Sequence, residues 1–209
     1  MRYIRWEVTL ATAIVGIILP WTGSVSAQLV PIPDDTLGEE SSTLRPISPD
    51  YPGDVIEGGL RRGEALFHSF EEFHVEAGRV IYFDDPGVDS ILSRVTGETE
   101  SQILGLLGVF GDADLFLINP NGIIFGENAR LDLKGGSLLA TTADSVEFDG
   151  NVEFDSSGEG LPTAPLLTVQ PSAFLFNSAN PAAIVNNSRT LPPTGALSSW
   201  LELTPVYCL

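Results

Sequence analysis

The residues that could carry out acid–base chemistry in this sequence include two pairs of aspartates. Cleavage of a polysaccharide needs carboxylates at a fixed separation, and the candidates are Asp84 with Asp85 and Asp112 with Asp114. Both pairs stand next to Gly or Pro in sequence that is typical of turns. The pattern therefore favours solvated turn residues over a catalytic pair, and we expect no catalytic residue here.

The two histidines, His68 and His74, are the other residues that could exchange protons or bind a metal. Their spacing of six is not typical of a metal site, and the single cysteine, Cys208, adds no cluster of ligands. The sequence also lacks a phosphate-binding loop with its Gly-Lys-Ser/Thr ending. We therefore expect neither a metal nor another cofactor.

The stretch around His68 has the composition of a catalytic triad, because Ser69 and two glutamates follow it. No G-x-S-x-G nucleophile elbow is present, so we interpret the stretch structurally. We expect Phe67, Phe70 and Phe73 to face the core. Their three-residue spacing also allows a short helical turn with a capping box at its start.

A turn motif lies between two apolar runs in LFLINPNGIIFG, residues 115–126. Asn119 can accept backbone N–H bonds through its side chain, and Pro120 presets φ for the second turn position. Asn121 suits the third position and Gly122 the fourth. The motif predicts a type I turn, and backbone geometry explains every one of its residues without catalysis.

The elements that must position these residues are short strands. From residue 65 onward, β-prone runs of three to seven residues alternate with turns rich in Gly, Pro, Asn and Asp. This alternation predicts an all-β fold and suits a sandwich, a barrel or a β-solenoid. LFLI and GIIF are apolar at successive positions, so either both faces or a bend must be buried. Stacked parallel coils bury such runs, and we therefore favour the solenoid.

A weak internal repeat supports this choice. Residues 117–124 resemble residues 178–185, and the two prolines, Pro120 and Pro181, are 61 positions apart. We interpret this distance as three coils of roughly 20 residues each, with chance similarity as the alternative. Asp85-Pro86-Gly87-Val88 is a cruder third copy that does not fit the same period.

The charge of the chain is strongly negative, with 28 acidic and 10 basic residues and a net charge of −18. Binding to nucleic acid needs a basic stripe, which the chain lacks, so we expect no nucleic-acid partner. Binding to an anionic membrane surface is disfavoured for the same reason. An acidic surface also keeps a protein soluble.

The first 27 residues have the pattern of an export signal. Arg2 and Arg5 precede an uncharged apolar stretch, residues 8–20, that is too short to span a membrane comfortably. Small residues end the segment, which predicts cleavage between Ala27 and Gln28. With one cysteine the exported chain cannot form an internal disulfide. The absence of a disulfide also suits a chain that must stay unfolded while it crosses another membrane.

Several motifs in order resemble one known family. They are the lead-in PDDTLG, then LFHSFEEF, ILSRVTG, ILG, the stretch LFLINPNGIIFG and finally LATTA, which together span residues 33–143. The chain from residue 28 to residue 189 resembles the N-terminal domain of filamentous-haemagglutinin-like exoproteins, which leave the cell by two-partner secretion. The resemblance implies a right-handed parallel β-helix with N-terminal capping strands.

The resemblance also implies partners and a motif for secretion. General export machinery would deliver the chain to the periplasm, where an outer-membrane β-barrel transporter with peptide-binding domains recognises it unfolded. The family's Asn-Pro-Asn-Gly motif maps onto Asn119, Pro120, Asn121 and Gly122. A second family motif, Asn-Pro-Asn-Leu, has no match in that form. Near its place stand four other residues: Asp84, Asp85, Pro86 and Gly87.

We expect three segments: a signal peptide at residues 1–27, the secretion domain at 28–189 and an atypical tail at 190–209. The tail loses the turn pattern, which suggests a truncation or frameshift product, with a genuinely short protein as the alternative. The predicted function is secretion recognition for a surface or secreted adhesin, whose ligand would be a host or matrix carbohydrate or protein. The alternative is a carbohydrate-active β-helix enzyme.

Overall fold

The structure is a computed structural model that describes residues 29–148, 152–159 and 171–189. Within these ranges the chain forms eighteen short strands and one turn of 3-10 helix at Gly38–Glu40. No helix in the described ranges is long and apolar enough to cross a membrane. The predicted all-β fold is therefore confirmed.

Three parallel sheets form the sides of a solenoid of about four coils. Sheet I contains β3 (Tyr51–Gly58), β7 (Val80–Phe83), β10 (Leu106–Val109) and β13 (Arg130–Asp132). Sheet II contains β5 (Ala65–Glu72), β8 (Ser90–Val95), β11 (Asp114–Ile118) and β14 (Leu138–Thr141). Sheet III contains β6 (His74–Val75), β9 (Ser101–Ile103), β12 (Ile123–Phe125) and β18 (Ile184–Asn186). The chain visits the sheets in this order in each coil, which confirms the predicted parallel β-helix.

Strands from the N-terminal segment cap the first coil. β4 (Leu60–Arg62) pairs antiparallel with the first half of β5, and β1 (Ile32–Pro33) pairs antiparallel with its second half. β2 (Ser42–Ser48) covers the free edge of β3 in the same antiparallel manner. An uncovered edge would offer unpaired backbone groups to other chains, so these strands close the N-terminal end of the solenoid. They confirm the predicted capping strands.

An insertion interrupts the fourth coil. After β14 the chain forms a separate antiparallel sheet IV from β15 (Ser145–Phe148), β16 (Val152–Asp155) and β17 (Ala173–Leu175). It then returns to the solenoid at β18, where Ile184 pairs with Ile123 of β12. The two Asn-Pro segments therefore lie in neighbouring coils, and the prediction that they are three coils apart is wrong. Ordinary coils take about 24 residues, as the pairing of Ile91 with Leu115 illustrates.

Both faces of sheet II are buried. Its inner face belongs to the solenoid core, and its outer face packs against sheet IV. The inner set includes Leu66, Phe70, Ile91, Val95, Leu115, Leu117, Leu138 and Ala140. The outer set includes Ala65, Phe67, Leu92, Phe116 and Ile118, packed with Val146, Phe148 and Phe154. Of the two predicted alternatives for the apolar run LFLI, the structure therefore shows burial on both faces.

The aromatic stretch around His68 forms strand β5, so the helical turn that its spacing allowed is not present. Successive side chains in a strand point to opposite faces, and a spacing of three therefore separates Phe67 from Phe70. Phe70 and Phe73 lie in the solenoid core, as expected. Phe67 instead packs on the outer face, with its ring centroid 4.8 Å from that of Phe154.

Candidate functional site

Asn119 organises the corner between β11 and β12. Its side chain is fully buried, and Oδ1 accepts a 2.9 Å hydrogen bond from the backbone N–H of Asn121. Its Nδ2 donates to the carbonyl oxygen of Thr99 and to Oγ of Ser101, both at 2.9 Å. Thr99 and Ser101 belong to the preceding coil. Asn119 therefore shapes the turn and also ties two coils together.

The rest of the corner agrees with the predicted turn. The N–H of Gly122 donates to the carbonyl oxygen of Asn119 at 3.1 Å, which closes a four-residue β-turn. Gly122 has φ of +118°, a conformation that side chains disfavour, so a glycine is required. Asn121 is exposed, and its Nδ2 donates to the carbonyl oxygen of Gly97 at 2.8 Å and to Oδ1 of Asn119 at 3.3 Å.

The corner borders a polar cavity of about 420 Å³ between the coils and sheet IV. Pro120 and Asn121 line one side of this cavity, and three acidic residues line another: Asp144, Glu153 and Asp155. The cavity thus lies between the Asn-Pro-Asn-Gly corner and the inserted sheet IV.

The second predicted motif forms a different corner. Asp84, Asp85, Pro86 and Gly87 connect β7 to β8, between sheets I and II. Oδ1 of Asp85 accepts bonds from the N–H groups of Gly87 at 2.8 Å and of Val88 at 3.0 Å. The Asn-Pro-Asn-Gly corner lies between sheets II and III, so the two motifs occupy different corners of the solenoid.

One aspartate of each pair, Asp85 and Asp114, has structural hydrogen-bond partners. Oδ1 of Asp114 accepts hydrogen bonds from the backbone N–H and the hydroxyl of Ser137, at 2.8 and 2.7 Å. Asp112 is exposed, and Asp85 fits against Gly111 so closely that a Cβ there would overlap its carboxylate. In the described ranges, no group of three or more His, Cys, Asp or Glu could hold a metal ion.

The triad-like composition around His68 does not become a triad. His68 points into the solenoid core, where its ring lies 5.2 Å from that of Phe83, while Ser69 faces the opposite side of β5. Nδ1 of His68 lies 2.9 Å from Oγ of Ser42. Complete burial lowers the pKa of His68 to about 3, so the imidazole is neutral at physiological pH.

The sequence reasoning missed a buried polar network on the outer face of sheet II. At its centre, Arg94 of β8 is fully buried beneath sheet IV. Its Nε donates to Oγ of Ser69 at 2.9 Å, and its Nη2 donates to Oγ1 of Thr36 at 2.9 Å. Its Nη1 donates to the carbonyl oxygen of Asp155 at 2.7 Å. The guanidinium also stacks 4.4 Å from the ring centre of Phe154.

Asp34 of the N-terminal segment completes this network. Its carboxylate accepts hydrogen bonds from the hydroxyls of Thr36 at 2.6 Å, Ser69 at 2.8 Å and Thr96 at 2.7 Å. Burial by itself would raise the pKa of Asp34, but these hydrogen bonds outweigh it and hold the pKa below its usual value. Burial lowers the pKa of Arg94, an effect that the charges of Asp155 and Asp34 oppose.

The network joins three motifs that carry the family resemblance. Asp34 and Thr36 come from the lead-in PDDTLG, Ser69 from LFHSFEEF, and Arg94 from ILSRVTG. A charged residue inside an otherwise uncharged strand was the signal available in the sequence, because a buried arginine requires several acceptors. These motifs are therefore held together by one shared set of hydrogen bonds.

Comparison with known proteins assigns the family. The model of the TPS secretion domain matches residues 29–199, which is most of the chain. The chain belongs to the TPS secretion domain family. This TPS secretion domain includes the solenoid, its N-terminal caps and sheet IV, and the predicted family is confirmed.

A relative shares part of this TPS secretion domain. It is the heme/hemopexin-binding protein of Haemophilus influenzae, which is 37% identical over 86 residues. That segment is 41% of this chain but 9% of the relative, so the chain spans a small part of the relative's length. The predicted cleavage site at Ala27 and Gln28 and the predicted tail at residues 190–209 lie outside the described residues.

Proposed function

We propose that this chain is the secretion-recognition domain of a two-partner-secreted, haemagglutinin- or adhesin-like exoprotein. The match of the TPS secretion domain to residues 29–199 carries the proposal. General export machinery delivers the chain to the periplasm, with cleavage between Ala27 and Gln28. An outer-membrane β-barrel transporter with periplasmic peptide-binding domains then binds the unfolded chain, which folds outside the cell as a β-helix at residues 28–189.

The corner geometry supports recognition before folding. Asn119 is fully buried in the folded corner, so a partner can contact its side chain only while the segment is extended. We propose Asn119, Pro120, Asn121 and Gly122 as the recognised segment. A second candidate for the recognised segment is the turn formed by Asp84, Asp85, Pro86 and Gly87. This turn also lies in the first coils, among the motifs that carry the family resemblance.

The exoprotein's ligand is a host or matrix carbohydrate or protein, bound at the cell surface or after release. Heme and hemopexin binding are named for the relative, of which the matched segment is a small part. Family membership favours a recognition role over catalysis. Assay of the chain with acidic polysaccharides, beside the Asp112→Asn variant, tests the enzyme alternative: turnover that this substitution abolishes would contradict our proposal.

The main test is secretion of Asn119→Ala/Asn121→Ala from cells that co-express an outer-membrane transporter of this type from the source genome. We expect less extracellular protein, with signal cleavage unchanged, because the transporter loses the amides that it recognises. Immunoblots of periplasm and medium measure both quantities.

Ser101→Ala is the matched control, because it removes a hydrogen bond of Asn119 only in the folded corner and leaves the recognised segment intact. We expect Ser101→Ala to be secreted like the wild type. Equal export of the double variant and the wild type, or an equal loss in Ser101→Ala, would contradict recognition of this segment.

A further inference from the structure

Asn121-Gly122 is the one Asn-Gly dipeptide in the sequence, and in the folded corner Asn121 is exposed whereas Gly122 is buried. Asparagine followed by glycine is chemically fragile, because glycine has no Cβ to hinder approach of its backbone nitrogen to the preceding side chain. We propose that Asn121 is a site of spontaneous deamidation in the unfolded chain and that folding of the corner suppresses the reaction. This inference does not depend on the proposed function.

The reaction needs only the chain and water. The backbone nitrogen of Gly122 attacks Cγ of Asn121, and the new C–N bond closes a five-membered succinimide. The bond from Cγ to Nδ2 breaks, and the amide leaves as ammonia with the proton that the nitrogen of Gly122 gave up. Water then opens the imide at either carbonyl, which yields aspartate or isoaspartate at position 121. No oxidant or reductant takes part.

The same corner provides its own comparison. Asn119 precedes Pro120, whose backbone nitrogen carries no hydrogen and cannot form this imide. In the next coil the corresponding segment is Asn180-Pro181-Ala182-Ala183, which has an alanine in place of each residue of the fragile dipeptide. Among the asparagines of these two aligned corners, Asn121 is thus the one that is expected to form the succinimide.

Folding restrains both reacting groups. Nδ2 of Asn121, the leaving nitrogen, donates to the carbonyl oxygen of Gly97 at 2.8 Å and to Oδ1 of Asn119 at 3.3 Å. The N–H of Gly122, which carries the attacking nitrogen, donates to the carbonyl oxygen of Asn119 at 3.1 Å. Cyclisation must break these hydrogen bonds, so it requires local opening of the corner.

The product would fit the folded corner poorly. A carboxylate at position 121 has no N–H to offer the carbonyl oxygen of Gly97 and would repel it. It would also lie on the same cavity as Asp144, Glu153 and Asp155. A chain that stays unfolded long enough to deamidate therefore loses part of its ability to fold.

The first experiment incubates the full chain folded and in urea, at the same mildly alkaline pH and temperature. Mass spectrometry of the tryptic peptide 95–130 then follows conversion of amide to carboxyl, and fragmentation separates position 121 from Asn119 and Asn128. We expect conversion at Asn121 to be at least about tenfold faster in urea, which corresponds to ~1.4 kcal/mol. Equal rates, or conversion mainly at Asn119 or Asn128, would overturn the proposal.

Two variants complete the test. In urea, Gly122→Val hinders the attack, and we expect its rate to fall at least about tenfold, equivalent to ~1.4 kcal/mol; an unchanged rate would refute the succinimide route. Asn121→Asp mimics the product, and Asn128→Asp adds the same charge at an exposed site nearby. We expect a lower urea midpoint, or no folding, for Asn121→Asp alone. Equal midpoints for the two variants would refute the folding consequence.

Discussion

The two faces of sheet II are both largely buried but chemically different. The inner face carries mainly aliphatic and aromatic side chains, whereas the outer face buries Ser69 and Arg94 beneath sheet IV. The outer polar groups have partners from the N-terminal segment, Asp34 and Thr36, and from Asp155 of sheet IV. On the inner face, Nε2 of His68 and Oγ of Ser93 have no hydrogen-bond partner among the described residues. Burying a polar side chain therefore costs little free energy only where other segments supply its hydrogen-bond partners.

The largest effect should follow from removal of the central charge of the outer face. We expect Arg94→Met to reduce the free energy of unfolding by about 4 kcal/mol, because it leaves buried acceptors on several segments unpaired. Urea denaturation of the full chain measures this change. Arg45→Met is the control, since Arg45 is exposed and pairs with Glu57 at the surface. A similar loss in both variants would remove the distinction between network and surface arginines.

A matched pair of serines compares the faces directly. Ser69→Ala should reduce the free energy of unfolding by about 2 kcal/mol, because Arg94 loses an acceptor and Asp34 a donor. Ser93→Ala on the inner face should be neutral or stabilising, because its hydroxyl has no partner among the described residues. Urea midpoints of the two variants make the comparison. Equal losses would show that partners do not distinguish the faces.

The smallest effect concerns pH and the inner face. The pKa of His68 is about 3 in the folded chain and 6.5 as the ordinary value, so below pH 6.5 the unfolded chain binds a proton that the folded chain does not. The contribution of neutral His68 to the free energy of unfolding is fully present above pH 6.5 and declines as the pH falls toward 3. Between pH 7.5 and 5.5 we expect a loss of about 1.4 kcal/mol.

Urea denaturation at several pH values measures this loss, and the His68→Leu variant is its control. The variant should lack this part of the pH dependence, while contributions from carboxylates such as Asp34 remain in both proteins. Parallel stability profiles for wild type and variant would contradict neutral burial of His68.

Local sequence predicted the features that depend on neighbouring residues. The apolar run LFLI predicted burial on both faces or at a bend. The order of Asn119, Pro120 and Gly122 specified a turn through backbone conformation alone. Both predictions are confirmed in the structure. The all-β class and the parallel solenoid followed from the same short-range patterns.

Features that depend on distant segments were missed or misread. Arg94 bonds to residues as far away in sequence as Thr36 and Gly158, and no spacing rule connects them. The 61-residue distance between the Asn-Pro segments contains sheet IV, which periodicity alone could not separate from further coils. The capping of β3 by β2 was expected only from the family resemblance and not from the residues themselves, because the polar sequence STLRPIS of β2 resembles a loop.

The hydrogen bonds of Arg94 also impose an order in time. Two of its acceptors, the carbonyl oxygens of Asp155 and Gly158, lie 61 and 64 residues further along the chain. A chain that emerges N-terminus first can stack its early coils before these acceptors arrive, but its guanidinium then lacks two of the carbonyls that hold it. The domain is consequently completed late, and the N-terminal segment and sheet IV reach their final packing around Arg94 at the same time.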